Sequence, residues 1–200
     1  MQPSKVQIRI IAGNLRGRKI SATVHDDLRP TPQMVREALF SILGNAVPGR
    51  PFFDLFAGTG IHGMEAISRG APEAILIEHD AKLVKAIDAR VREFGIERQA
   101  HVMRADVYRW AERWIPPQGP VNLFLSPPFA DLTERFDAFL KLIAMLAEKS
   151  PPESCVCIQA EDGFPTELLP GTGWDVRTYG RNVLAIWVKE VSASESAIST

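Results

Sequence analysis

Phe52-Phe53-Asp54-Leu55-Phe56-Ala57-Gly58-Thr59-Gly60-Ile61-His62-Gly63 is the stretch from which the rest of the chain is read. An apolar run ends at Asp54 and Leu55, glycines follow at 58, 60 and 63, and a helix-compatible segment begins directly behind them. The order is strand, tight turn, helix. Glycine serves where the backbone takes positive φ or comes close to a ligand, and the free N–H groups of a helix start favour polar or anionic groups. Gly58, Gly60 and Gly63 match the pattern G-x-G-x-x-G, and Glu78 lies twenty positions beyond Gly58 at the end of the next apolar run. Three readings stay open on this stretch alone: a nicotinamide dinucleotide, S-adenosylmethionine, or glycines that only admit close packing of helix on sheet.

Downstream, Ala74-Ile75-Leu76-Ile77-Glu78 is apolar throughout and closes with an acid. Unbroken rather than alternating hydrophobicity implies burial on both faces, hence a parallel sheet between helices. A helix is expected over 81–94, with Leu83, Val84, Ile87 and Val91 at helical spacing, and a third strand over 101–106 ends in Asp106. Trp110 and Trp114, four apart, read as core rather than as a platform for bases. The strand 121–125 runs into Ser126-Pro127-Pro128-Phe129, where two prolines stop ladder hydrogen bonding and leave a stiff loop at the carboxyl, ligand-binding end of the sheet. One long helix is expected over 132–149, then strands at 155–159, 174–179 and 183–188, the last two joined by Gly180-Arg181-Asn182. The result is an α/β fold with a seven-stranded, mostly parallel sheet and a terminal antiparallel hairpin.

Upstream, residues 5–12 alternate as a strand, and Gly13-Asn14 with Gly17 offers turn chemistry before Arg18-Lys19-Ile20-Ser21, so a small β-hairpin arm is expected. Thr31 reads as a helix cap with Pro32 as the first helical residue, and Val35, Leu39 and Ile42 mark the apolar face of a helix ending near Gly44. Arg36 and Glu37 fall on its polar face as a surface pair. Residues 1–50 hold eight Lys or Arg against three acids, and the remainder fifteen against twenty-one, so a basic segment of +5 precedes an acidic body of −6. That division suits a polyanion-binding extension, with Arg16, Arg18, Lys19 and Arg29 as its cations.

The 200 residues, 46% of them hydrophobic, suffice for one main core. The expected division is a basic arm over 1–30, a main domain over 31–191 and a frayed Ser- and Ala-rich tail over 192–200. No apolar run approaches the roughly eighteen residues of a membrane span, and the N-terminus lacks a signal-peptide core, so a cytoplasmic protein is expected. Cys155 and Cys157 would point to one face of a strand as buried free thiols. His25, His62, His79 and His101 lack metal-ligand spacing, and no metal is assigned. A monomer is expected.

Three acids close the first three strands: Asp54, Glu78 and Asp106. A carboxylate after the second strand can accept both ribose hydroxyls, one after the third the adenine amino group, and one after the first can help hold an amino acid portion. A dinucleotide employs Glu78 but leaves Asp106 and Ser126–Phe129 idle; S-adenosylmethionine employs them all.

These residues resemble the RsmD-like methyltransferases, which methylate the exocyclic N2 amine of a guanine in bacterial small-subunit ribosomal RNA. The resemblance runs through Arg9–Gly13, Leu15–Lys19, Leu28–Thr31, Val35–Phe40, Asp54–Gly60, Leu76–Glu78 and Pro127–Phe129 in order and spacing. It implies a Rossmann-like class I methyltransferase fold and S-adenosylmethionine held by Thr31, Arg36, Asp54, Phe56, Ala57, Gly58, Gly60, Glu78, Asp106 and Val107. It also implies an arm suited to ribosomal RNA or a small-subunit particle, and catalytic roles for Ser126, Pro127 and Phe129. At Ser126 this chain departs from the family's Asp or Asn. An exocyclic amine is a poor nucleophile because its lone pair is delocalised, and accepting its two N–H groups biases it towards a reactive tetrahedral geometry. Serine can accept, but exchanging a carboxylate for it removes a charge-assisted hydrogen bond of about 1.5–3 kcal/mol, roughly ten- to a hundred-fold in rate. Phe129 would stack on the extruded base. The alternative is a cofactor-binding, RNA-binding assembly protein with weakened or lost catalysis.

Overall fold

The computed structural model describes residues 4–24 and 30–191; Arg29, His25 and the tail over 192–200 lie outside the described residues. Strands β1 (Ser4–Arg9) and β2 (Lys19–Val24) form an antiparallel ribbon in which Ile8 faces Ile20. Helix α1 (Gln33–Leu43) follows, then β3 (Phe52–Leu55), α2 (Ile61–Ser68), β4 (Ala74–Glu78), α3 (Ala81–Phe94), β5 (Ala100–Arg104) and α4 (Val107–Arg113). The chain continues through β6 (Asn122–Leu125), α5 (Phe129–Thr133), α6 (Phe136–Lys149), β7 (Cys155–Glu161), β8 (Asp175–Tyr179) and β9 (Asn182–Val188). The main sheet has the order β5-β4-β3-β6-β7-β9-β8; β3 to β7 are parallel and β9 is antiparallel to both of its neighbours. The strand order reverses between β3 and β6, and the crevice at their carboxyl ends is where such sheets bind ligands. No helix among the described residues is long and apolar enough to cross a membrane.

The apolar strands are buried on both faces because successive side chains point to opposite sides. Phe52, Leu76, Phe124, Cys157 and Leu184 enter one core with α1, α2 and α3, while Phe53, Ile77, Leu123, Val156 and Ala185 enter the other with α4 and α6. Cys155 and Cys157 are free, buried and on the same face, and burial raises both thiol pKa values. Trp114 belongs to the second core, with Trp110 stacked on it at 5.5 Å. Helix α3 begins at Asp80, whose carboxylate accepts from the N–H groups of Lys82 and Leu83 at 2.7 and 2.9 Å, and stops at left-handed Gly95.

The ribbon is fastened to α2. Ile8, Ile10, Leu15 and Ile20 share the first core. Glu65, fully buried on α2, accepts from the N–H groups of Ile11 and Ala12 at 2.8 and 3.1 Å and from Arg69 Nε at 2.8 Å. Ser68 receives Leu15 N–H on its hydroxyl and Asn14 N–H on its carbonyl, both at 2.8 Å.

Five local expectations are corrected. Thr31 does not cap α1: Pro32 holds the cap position without a side-chain bond, and the Thr31 hydroxyl donates instead to Gln159 Oε1 at 2.5 Å. A residue between two prolines is driven to extended backbone, which turns its side chain away from the helix start. Arg36 is no surface partner of Glu37; it is 2% exposed, and Glu37 accepts from Gln33. The helix expected over 132–149 begins earlier, at Phe129, and breaks at Glu134–Arg135, where the Thr133 hydroxyl bonds back to the Phe129 carbonyl and Arg135 swings over the Tyr108 ring at 4.1 Å. The third strand stops at Arg104, and Asp106 caps α4 by accepting from Arg109 N–H at 3.0 Å. Asn182 lies in β9, which leaves Gly180-Arg181 as a two-residue hairpin turn.

Candidate functional site

After β3 the backbone takes positive φ at Phe56, Gly58 and Gly60, at 67°, 56° and 74°. A non-glycine residue there is uncommon, and Phe56 is held by its neighbours: Ala57 N–H donates to Ile77 O at 2.9 Å and Gly60 N–H to Ala57 O at 2.7 Å. Glu78 clamps the turn from the next strand. Its Oε2 accepts from Gly58 N–H at 2.8 Å and its Oε1 from Asp80 N–H at 2.9 Å. Gly60 and Gly63 have a different use. A Cβ on Gly63 would lie 2.8 Å from Leu76 Cδ2, and one on Gly60 3.0 Å from Ile87, so these two glycines let α2 lie close on the sheet. Packing and cradling are thus divided among the three glycines, with Gly58 alone held by Glu78.

Asp54, Glu78 and the continuation of β6 at Ser126 occupy positions of the same parity as Phe52, Leu76 and Phe124, on the face shared with α1 and α2. Asp54 is completely buried. Its Oδ2 accepts from Gly63 N–H at 3.0 Å, while Oδ1 has no partner among the described residues. Burial, only partly countered by the Gly63 N–H and reinforced by the Glu78 charge, raises its pKa to about 7. A carboxyl with a native pKa above its unfolded value stabilises the fold below the unfolded pKa and loses that contribution as pH rises through the native one. Asp54→Asn keeps an oxygen for Gly63 and removes the titration. Its melting temperature relative to wild type is therefore expected to climb between pH 4 and about 7, by a few degrees, and level off above. Paired melts across that range check this; a flat difference contradicts it.

Arg36 donates from Nη1 to Thr31 O at 2.7 Å and from Nη2 to Arg9 O at 3.0 Å, with Nε buried and unpartnered among the described residues. Burial lowers its pKa against the raising effects of Glu65 and Glu37. His62 is buried against Phe124 at 4.2 Å; burial, with the Arg36 cation second, lowers its pKa to about 3 and keeps the ring neutral. Thr31 and Ser126 both donate to Gln159 Oε1, at 2.5 and 3.3 Å, and Gln159 Nε2 donates to Asn182 Oδ1 at 3.2 Å.

Pro127 O accepts from no donor among the described residues, and Phe129 is 67% exposed, so it does not pack over the site. Asp106 is exposed at the mouth of a 330 Å³ groove lined by Ala105, Arg109, Trp110, Arg113 and Trp114; Val107, next in the chain, is buried. A larger hollow of 730 Å³ lies between the ribbon and the start of α1, lined by Arg9, Lys19, Pro30, Thr31, Gln33 and Arg36 among others. The ribbon's cations are split. Lys19 borders this hollow, whereas Arg18 sits over Phe94 at 5.2 Å and donates to Glu93 O at 3.4 Å, and the turn carrying Arg16 is tied to Ser68. Because α2 and α3 start at the carboxyl edge of the sheet and run away from it, their ends at Ser68 and Phe94 put Arg16 and Arg18 on the far side.

Sequence reading passed over Gln159, Asn182, His62 and Glu65. The signal for the first was a polar residue inside the apolar run 155–160, and for the last an acid on a helix that is otherwise apolar and small. Among the described residues no three His, Cys, Asp or Glu side chains are grouped to hold a metal ion.

The family model described as Conserved hypothetical protein 95 matches residues 8–188. YlbH of Bacillus subtilis is 31% identical over 188 residues, covering 91% of this chain and 99% of its own. The Escherichia coli K12 protein named Ribosomal RNA small subunit methyltransferase D is 33% identical over 163 residues, 80% of this chain and 79% of its own. Among solved structures, the T. thermophilus 16S rRNA N2 G1207 methyltransferase RsmC, in complex with AdoMet and guanosine, superposes with a TM-score of 0.71 at 18% identity, covering 94% of this chain and 51% of that one, a likeness of fold.

Proposed function

This chain belongs to the Conserved hypothetical protein 95 family, the RsmD-like methyltransferases of small-subunit ribosomal RNA, and from that premise we propose that its acceptor is the exocyclic N2 amine of a guanine. The observation that carries the proposal is a pair of acceptors, Ser126 Oγ and Pro127 O, directly after β6 and beside the glycine turn of β3. An aromatic amine has two N–H groups to give, and two acceptors on a rigid proline loop match that demand.

The residues of the turn fit S-adenosylmethionine. Asp54 Oδ1 and Arg36 Nε are buried polar atoms without partners among the described residues, one suited to a cationic ammonium and the other to a carboxylate. The Glu78 carboxylate retains lone pairs for ribose hydroxyls beyond the two N–H groups it already accepts, and Asp106 with Val107 borders the adenine side. When bound, the cofactor supplies an electrophilic methyl group. Ser126 and Pro127 orient the amine, and exposed Phe129 is free to stack on the extruded base. Asp54, with a pKa of about 7, is ready to give up its proton when a cation arrives.

Incubating small-subunit RNA from a strain lacking this protein with labelled S-adenosylmethionine tests the activity. Label in the RNA is expected; RNA binding without transfer would favour a non-catalytic assembly factor. For the RNA contact, alternation along the ribbon exposes Lys5, Gln7 and Arg9 beside Lys19, Ser21 and Thr23, a polar face reaching the hollow at Thr31. Changing Arg9 and Lys19 together to Ala is expected to flatten the slope of log affinity against log salt by about 1.5–2, with cofactor affinity unchanged. The same change at Arg16 and Arg18, on the far side, is expected to do less. Salt titrations of RNA binding decide; equal effects from both pairs would contradict this placement.

A further inference from the structure

Continuing the parallel register of β6 and β7 beyond Leu125 and Ile158 brings Ser126 beside Gln159, on the face that also holds Thr31. A serine hydroxyl has one proton and two acceptor lone pairs. Here the proton goes to Gln159 Oε1 at 3.3 Å, and the same oxygen takes the Thr31 hydroxyl at 2.5 Å, so both of its lone pairs are used. The other end of the amide donates to Asn182 Oδ1 on β9 at 3.2 Å.

We propose that Gln159 is a positioning residue for methyl transfer: by taking the Ser126 proton it makes the serine an acceptor only, and so lets a serine replace the carboxylate or amide that accepts from the amine elsewhere in the family. This rests on the reading of Ser126 given above. A serine free to rotate could point its proton at the amine nitrogen and occupy the lone pair that must attack; one bonded to Gln159 cannot. Through Thr31, the same amide also ties the segment beside the cofactor turn to the catalytic loop.

The test compares Gln159→Leu and Gln159→Glu in the full chain, using labelled S-adenosylmethionine and the RNA substrate, with thermal melts as a check on folding. Gln159→Leu is expected to lower kcat about ten-fold with KM for the cofactor near wild type, the size of one lost hydrogen bond at the reacting centre. Gln159→Glu, which can only accept, is expected to stay within about three-fold of wild type. In a Ser126→Asp background, where the acceptor needs no orienting, Gln159→Leu is expected to cost less than about two-fold. A loss that persists in that background, or a rise in KM without a fall in kcat, overturns the role and leaves Gln159 as a structural tie. An active wild type with an unimpaired Gln159→Leu overturns this inference alone; a wild type that transfers nothing removes the reading beneath it as well.

Discussion

Glu78→Ala is expected to weaken S-adenosylmethionine binding by two to four orders of magnitude. The carboxylate is 5% exposed and stands at the end of β4, one strand from the glycine turn. Two ribose hydroxyls donating to an ionised acceptor contribute about 1.5–3 kcal/mol each, together roughly a hundred- to ten-thousand-fold in affinity. The substitution also frees Gly58 N–H and Asp80 N–H, now bonded at 2.8 and 2.9 Å, so the turn itself loses its clamp and the helix start at Asp80 part of its support. Glu78→Gln separates the two effects. An amide oxygen can hold the Gly58 N–H, but the amide cannot accept on both arms, so an intermediate loss is expected. Calorimetric titration measures both variants; an Ala variant within three-fold of wild type would remove Glu78 from the cofactor site.

Gly13→Ala is expected to be the most destabilising single exchange on the ribbon. Gly13 has φ of +77°, and a Cβ there would lie 1.6 Å from the Ser68 carbonyl oxygen and 2.2 Å from its carbon. Both are backbone atoms and cannot step aside. The turn must lift from α2, which endangers the bonds from Asn14 and Leu15 to Ser68 and from Ile11 and Ala12 to Glu65. At about 1 kcal/mol for each of three or four bonds, plus about 1–2 kcal/mol for left-handed alanine, the loss is about 4–6 kcal/mol, a fall of roughly 10–20 °C in Tm for a chain of this length. A thermal melt within 2 °C of wild type would mean that the ribbon is not seated on α2 as described.

The contrast between these two sites shows what a single sequence carries. The strand, turn and helix around Gly58 are legible because their determinants are local: an apolar run, closely spaced glycines, an acid at the next strand end. The sheet is legible for the same reason, since burial on both faces is written in unbroken apolar runs such as 74–77. Roles set by partners distant in the chain are not. The Thr31 hydroxyl meets Gln159, 128 residues away, and Glu65 meets Ile11, 54 residues away. Locally Thr31 before Pro32 looks like a cap, and Arg36 next to Glu37 looks like a solvated pair; only the closing of β7 and the ribbon over α1 redirects them. The break at Glu134–Arg135 belongs to the same class, for helical periodicity runs through it and the ring of Tyr108 that receives Arg135 comes from another element. The resemblance to a methyltransferase family implied a role for the proline loop, whereas the proposed means by which Ser126 stands in for an acid rests on its hydrogen bond to Gln159, whose partner lies 33 residues away in the chain.

On the proposed reading, a methyl group passes to a guanine amine in small-subunit ribosomal RNA. Mass spectrometry of nucleosides from that RNA, taken from cells with and without this protein, tests it most directly. One N2-methylguanosine per RNA is expected to be lost without the protein and restored by the wild type but not by Glu78→Ala. An unchanged nucleoside profile, or a lost methyl group at any other atom, would contradict it.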